Sequence, residues 1–338
     1  MKKAAVILVL FFLLCGTQGI AKKLANLPQV TTPVTIDIYN DELYVLDETV
    51  VYVYSLKDFR LARRFGEKGE GKGQLTPNTE VPLGMNIENG NIYLNSQLKM
   101  IKYSTDGKIL QEQQIPFSFQ TIPFGNEFAS IKITVGPAVQ SFSVMQYDRG
   151  FNQLKQLYTR ERISPSRRGQ LPIPPELIII RGSGDQLFVF DQKKDFAIDV
   201  YQRNGTLAKT IKMDYQKIKV TEPFKKQAEA WFRAQPAFRM AAEELREMIY
   251  FPDYLPVMRN FIIKNKKIYI QTYKTQGKLT EFMVLGLDGK LLKQYMLPGF
   301  QNFPLQFNSS RIFTFYNDKY YYLAENNTGW ELHVEELK

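Results

Sequence analysis

Hydrophobic and polar positions alternate in short runs along most of this chain, and the runs come in pairs joined by tight polar turns. Near the start, Ile36-Asp-Ile-Tyr-Asn-Asp-Glu-Leu-Tyr-Val-Leu-Asp-Glu48 reads as strand, turn and strand. Near the end, Phe313-Thr-Phe-Tyr-Asn-Asp-Lys-Tyr-Tyr-Tyr-Leu-Ala-Glu325 reads the same way. The second run has the form x-aromatic-x-apolar-polar. It occurs at Leu43–Asp47, Ile92–Ser96, Phe128–Lys132, Leu187–Asp191, Ile268–Thr272 and Tyr320–Ala324, with Phe128–Lys132 the poorest copy. The copies lie about 55 residues apart on average, a spacing that suits repeated four-stranded units with insertions.

The remaining strands of each unit follow from the same pattern. Third strands are predicted at Val50–Ser55, Lys99–Ser104, Phe142–Tyr147, Phe196–Tyr201, Glu281–Leu287 and Trp330–Leu337. Asp106-Gly107, Asn204-Gly205 and Asp288-Gly289 then supply the dipeptides that hairpins prefer on the way to a fourth strand. The last unit runs out of chain after its third strand. Residues of about 24–32 precede the first unit, and as the missing strand they would close a ring and protect its edges.

One stretch breaks the alternation. Thr221 to Tyr250 has helical composition, with Thr221 placed as an N-cap and Pro223 in the first turn. Phe224, Ala228, Trp231 and Phe232 share one face, Pro236 interrupts, and Phe238 to Ile249 form a second apolar face. The pattern predicts two short helices between the fourth and fifth units.

The stretch Phe65-Gly-Glu-Lys-Gly-Glu-Gly-Lys-Gly-Gln-Leu-Thr-Pro77 resembles the linker between blades of NHL-type propellers, and the Asp-Gly turns and Tyr-Val-x-Asp second strands belong to the same pattern. The resemblance implies an all-β fold: a six-bladed β-propeller of four-stranded antiparallel blades, with the helical insertion at about 221–250 between blades 4 and 5. It covers most of residues 30–338 at the level of the repeat.

The first 21 residues stand apart. Lys2 and Lys3 precede an apolar run from Ala4 to Cys15, and small residues at Gly19 and Ala21 suit cleavage, so residues 1–21 read as a signal peptide and 22–338 as a single propeller domain. The run is short for a membrane span. A lipoprotein acylated at Cys15 would want a small residue where Leu14 stands. The mature chain is thus expected to be exported, periplasmic or secreted, with no transmembrane span. Loss of Lys2 and Lys3 takes the formal charge from +10 to +8, and loss of Cys15 leaves no cysteine, which rules out a disulfide or a Cys-ligated zinc. The basic balance reads either as solvated surface charge or as affinity for an acidic partner or envelope surface, and export disfavours nucleic acid.

In a four-stranded meander, the loop from second to third strand and the link to the next blade emerge on one face. All the unusual connections are of this kind: 66–77, Arg160–Pro175, the helical insert and Leu297–Pro304. The polar ends of the second strands, Asp47, Ser96, Asp191 and Thr272, point to that face, and loops on a rigid scaffold commonly carry binding. Arg160, Arg162, Arg167 and Arg168 cluster in one predicted link, near Lys68 and Lys72 in another; they make either a patch for an anionic partner or solvated loop charge. Asp47 and Asp191, in blades facing across the ring, could hold Ca²⁺ with Asn95, or could simply cap strand-end turns. Gly66-x4-Gly71-Lys72 mimics a phosphate loop, but Gly73 stands where a magnesium-binding Ser or Thr is needed. His333 is the single histidine, placed on an edge strand, and builds no catalytic triad.

The expectation is therefore a non-enzymatic exported module, without a cofactor, that binds a protein, peptide or glycan through its decorated face. Ligand residues would be Asp47, Ser96, Asp191, Thr272, Arg162, Arg167 and Arg168. The alternative is a Ca²⁺-dependent hydrolase or lyase at the central channel, using Asp47, Asn95 and Asp191.

Overall fold

The computed structural model describes residues 21–77, 83–163, 171–234, 247–299 and 311–337. Within them the chain forms a six-bladed β-propeller, each blade a four-stranded antiparallel sheet. Blade 1 comprises Pro33–Tyr39, Glu42–Asp47, Val50–Ser55 and Leu61–Phe65; blade 2 comprises Gly84–Glu88, Asn91–Asn95, Lys99–Ser104 and Ile109–Gln114. Blade 3 has the longest strands, Gln120–Phe124, Glu127–Val135, Val139–Tyr147 and Gln153–Ile163. Blade 4 is Ile178–Ser183, Gln186–Asp191, Ala197–Gln202 and Leu207–Lys212, and blade 5 is Asn260–Lys264, Lys267–Gln276, Leu279–Gly286 and Leu291–Pro298.

Blade 6 is built from both ends of the chain. Phe313–Tyr316, Lys319–Asn326 and Gly329–Glu336 are joined by Lys22–Leu27, which pairs antiparallel with the third strand. The sequence predicts this ring closure but places its strand at about 24–32; the strand is Lys22–Leu27. Leu27 is fully buried among Leu323, Leu332 and Val334, so the closing strand is held by packing as well as by its ladder.

The turn residues explain the hairpins. Asn40 and Asp41 both have positive φ, 49° and 56°, as do Asn317 and Asp318 at 48° and 52°. A two-residue hairpin whose twist matches its strands needs positive φ at both central positions, and Asn and Asp tolerate it. The core lies between blades. Tyr44, Leu46 and Val53 of blade 1, for instance, pack on Leu83, Met85 and Leu94 of blade 2 and its entry. Aromatic rings thicken this layer: Tyr269 of the second strand of blade 5 stacks at 4.0 Å on Phe315 of the first strand of blade 6.

The helix α1 spans Glu222–Ala234 between blades 4 and 5. Thr221 caps it, its Oγ1 accepting from the Phe224 N–H at 3.4 Å. Phe224, Ala228 and Trp231 turn the predicted apolar face onto Ile173, Ile249 and Phe251. A short parallel pair, Leu171–Pro172 with Ile249–Tyr250, ties this insertion to the link between blades 3 and 4. The second helix predicted after Pro236 falls largely on residues 235–246, outside the described residues.

Two expectations are corrected. Arg160 and Arg162 lie not in a link but on the fourth strand of blade 3, which runs to Ile163. The hidden alternation is Tyr158, Arg160 and Arg162 on one face; long cationic stems can occupy inward positions when their heads find partners. Leu297 and Pro298 likewise end the fourth strand of blade 5 and do not begin a link.

Candidate functional site

The expected ligand residues do not converge on one point. The Asp47 carboxylate accepts from the Thr31 N–H at 2.9 Å, from the Thr31 hydroxyl at 3.1 Å and from the Thr32 N–H, so it fastens the segment between the closing strand and blade 1. Asp191 accepts from the Tyr158 hydroxyl at 2.6 Å and from Arg160 Nη1 at 2.8 Å, which joins blades 3 and 4. It also caps its own turn through the Lys193 N–H at 2.9 Å. Thr272 is fully buried and donates to Glu281 at 3.0 Å, where Lys274 and Tyr215 also converge. Ser96 caps a turn, accepting from the Lys99 N–H at 3.1 Å. Arg167 and Arg168 lie outside the described residues. Among the described residues no group of three or more His, Cys, Asp or Glu is arranged to hold a metal ion.

Two further motifs resolve into local structure. The glycine-rich link folds on itself: Gly71 N–H donates to Gln74 Oε1 at 3.0 Å, and Leu75 N–H to the Glu67 carbonyl at 2.9 Å. The amides a phosphate would need are spent there. His333 stacks on Tyr322 at 5.2 Å, and its Nε2 lies 3.0 Å from Glu331.

A different site emerges at the mouth of the central channel. A cavity of about 330 Å³ opens among blades 1 to 4. It lies on the face that carries the long links, because its walls come from the starts of first strands and the ends of second strands. Asn95, Ser96 and Arg162 line it, as do Arg181 and Arg311. The structure thus gathers three of the expected residues and adds two arginines. No Asp or Glu is among the described residues that line it.

Each arginine is fixed differently. Arg162 donates from Nε to Gln140 Oε1 at 2.7 Å and lies over the Phe142 ring at 5.0 Å. Burial and the neighbouring Arg160 hold its guanidinium below its ordinary value. Glu176 attracts it from beyond ion-pair range but is paired with Arg160 at 3.7 Å. Among the described residues Arg181 is anchored by neutral oxygens alone: the Phe261 carbonyl at 2.8 Å, the Ile180 carbonyl at 2.7 Å and Asn260 Oδ1 at 2.7 Å. Burial, together with repulsion from Arg311, pushes its guanidinium down to about 9. Arg311 lies 3.8 Å from Asp37, but Asp37 is already engaged by Lys264 at 2.7 Å. Among the described residues Lys264 and Arg311 share the Asp37 carboxylate, Arg181 has no carboxylate within ion-pair distance, and Arg162 is the third arginine of the cavity wall. A desolvated cationic site of this kind attracts anions, since low dielectric strengthens the field.

The walls are otherwise mixed. Ile131, Ile133, Ile178 and Ile179 give an apolar side, and Asn86, Gln120 and Gln140 give carboxamides. Asn95 is 7% exposed, and its Oδ1 has no hydrogen-bond partner among the described residues. Arg181 and Arg311 had a sequence signal. Arg181 ends the run Ile178-Ile-Ile inside a first strand, and Arg311 stands just before Ile312-Phe313 at the entry to another. A cation inside an apolar inner strand has to face the channel or a partner.

No protein-family model matches the chain. No curated protein matches it. Solved structures similar to it include the AfRom2 CNH domain, with 8% identity and a TM-score of 0.41 over 94% of this chain and 98% of that one. The Neurospora crassa Pan2 WD40 domain shows 7% identity and a TM-score of 0.41 over 91% of this chain and 90% of that one. A member of the DUF4221 family from Bacteroides vulgatus shows 9% identity and a TM-score of 0.46 over 94% of this chain and 96% of that one.

Proposed function

We propose that the chain is an exported, non-enzymatic binding module that takes an anionic group of a protein, peptide or glycan into the cavity at the mouth of its channel. The observation that carries this is the set Arg162, Arg181 and Arg311 around a cavity with no described carboxylate in its wall. Half-buried cations favour an anion that can replace lost hydration with hydrogen bonds. Export rests on the reading of residues 1–21, of which 1–20 lie outside the described residues. We also keep the repeat with the NHL type on the strength of its first blade link.

The hydrolase or lyase alternative has no comparable support. Asp47 and Asp191 spend their oxygens on Thr31, Thr32, Tyr158 and Arg160, and Asn95 stands with the arginines.

Isothermal titration of residues 22–338 with small mono- and dianions tests the reading. Saturable binding that weakens with salt and falls at least tenfold in Arg162→Gln is expected. Binding of equal strength in the variant would remove this site as the seat of function.

A further inference from the structure

The cavity asks for more than negative charge. Its Asn95 Oδ1 is buried without a partner among the described residues, an arrangement that costs free energy unless a ligand donates to it. The same carboxamide carries a donor as well, so it complements a group that offers both an N–H and an acceptor. A peptide unit is such a group. The wall formed by Ile131, Ile133, Ile178 and Ile179 would then need an apolar side chain against it. About 330 Å³ is at the low end for small-ligand pockets, enough for the tip of a chain and not for a folded surface.

The approach to the cavity is also apolar. Phe119, which lines it, meets Phe117 edge to face at 5.5 Å, and the two side chains are 41% and 46% exposed. On the same face, Val135 and Ile163 end the long strands of blade 3 at 66% and 67% exposure. Exposed apolar residues gathered beside a pocket mark a contact surface.

We propose that the cavity receives the C-terminal residue of an extended peptide, with its α-carboxylate toward Arg162, Arg181 and Arg311, its amide N–H on Asn95 and its apolar side chain on the isoleucine wall. The preceding residues lie over Phe117 and Phe119. Capture of a terminal carboxylate by fixed donors is a recurring mode of peptide recognition. A sugar acid would meet the arginines and the carboxamides of Asn86, Gln120 and Gln140 equally well, but it would leave the isoleucine wall without an apolar partner. This inference rests on the anion-binding reading above.

The test titrates residues 22–338 with acetyl-Leu-Ala-Leu as the free acid, the same peptide as its C-terminal amide, trigalacturonate and inorganic phosphate. The free acid is expected to bind saturably, and the amide at least tenfold more weakly. Asn95→Leu, similar in volume and free of the unpaired amide, is expected to weaken the free acid at least tenfold while melting no lower than the parent. Equal binding of acid and amide would overturn the inference. Tighter, Arg162-dependent binding of trigalacturonate or phosphate would overturn it too and leave the anion site standing. Failure of every probe to bind would overturn both.

Discussion

Lys264 Nζ lies 2.7 Å from Asp37 Oδ1, so the innermost strands of blades 5 and 1, which are not neighbours in the ring, are joined by an ion pair of a buried carboxylate and a half-buried lysine. Arg311 and Thr314, from blade 6 and its entry, complete the set at 3.8 and 3.1 Å. One carboxylate therefore ties three successive blades at the channel.

Removing that carboxylate leaves its cations unbalanced. Burial by itself would raise the Asp37 carboxyl, but Lys264, Arg311 and the Ile38 N–H outweigh burial and hold it below its ordinary value of 3.8. The folded state thus binds the Asp37 proton less tightly than the unfolded state. The stability this contributes is fully present above the ordinary carboxylate range and is lost as pH falls through the lowered value. Asp37→Asn is expected to lower the unfolding free energy at pH 7 by about 3 kcal/mol in urea titrations. The deficit should shrink in acid.

Glu335 has the opposite sign. It is 6% exposed, and burial pushes its carboxyl up to about 7. The folded state holds the proton more tightly, so stability falls as pH rises from the ordinary carboxylate range through about 7. Glu335→Gln is expected to melt with the parent at pH 5 and about 2 °C above it at pH 8, read by differential scanning calorimetry.

Asp47 is a structural clamp. Asp47→Ala frees the Thr31 and Thr32 amides and is expected to cost about 1–3 kcal/mol. Hydrogen exchange should speed up across residues 22–32 before any other strand responds. Ca²⁺ and EDTA should give the parent the same melting temperature; a calcium-dependent rise of several degrees that Asp47→Ala abolishes would restore the metal reading.

The helical insert is a satellite of the ring. Ala228 is fully buried against Ile173, and Ala228→Asp puts a charge into that contact. Proteolysis between 222 and 234 should accelerate by at least tenfold, while the main melting transition moves little.

The fold was legible because second strands repeat one pattern with turn residues at fixed places. Leu43–Asp47 and Tyr320–Ala324 announce themselves, and Thr221 marks a helix start by the chemistry of its hydroxyl. The site was less legible. Ser96 reaches the cavity from the polar end of its second strand, yet Asp47, Asp191 and Thr272, at the same place in theirs, turn to neighbouring backbone, arginine and glutamate. Position along a strand fixes which face a residue nears, but not which partner reaches it first. The signal of Arg181 and Arg311 is a single cation in or just before an apolar strand, which breaks no periodicity and shows only once the strand is known to line the channel. Arg160 and Arg162 were placed in a link because their charge masked the alternation of a long fourth strand.

Blade 6 has a kinetic consequence. Trp330 Nε1 donates to the Thr31 carbonyl at 3.1 Å, across a separation of 299 residues. Such a contact can form only after nearly the whole chain has emerged, and closing so long a loop is slow. Until then Lys22–Leu27 and Gly329–Glu336 are unpaired edges on the same molecule or on two different ones. Ring closure is thus in competition with strand exchange between copies, and a chain lacking its last ten residues would lose the contest at both ends.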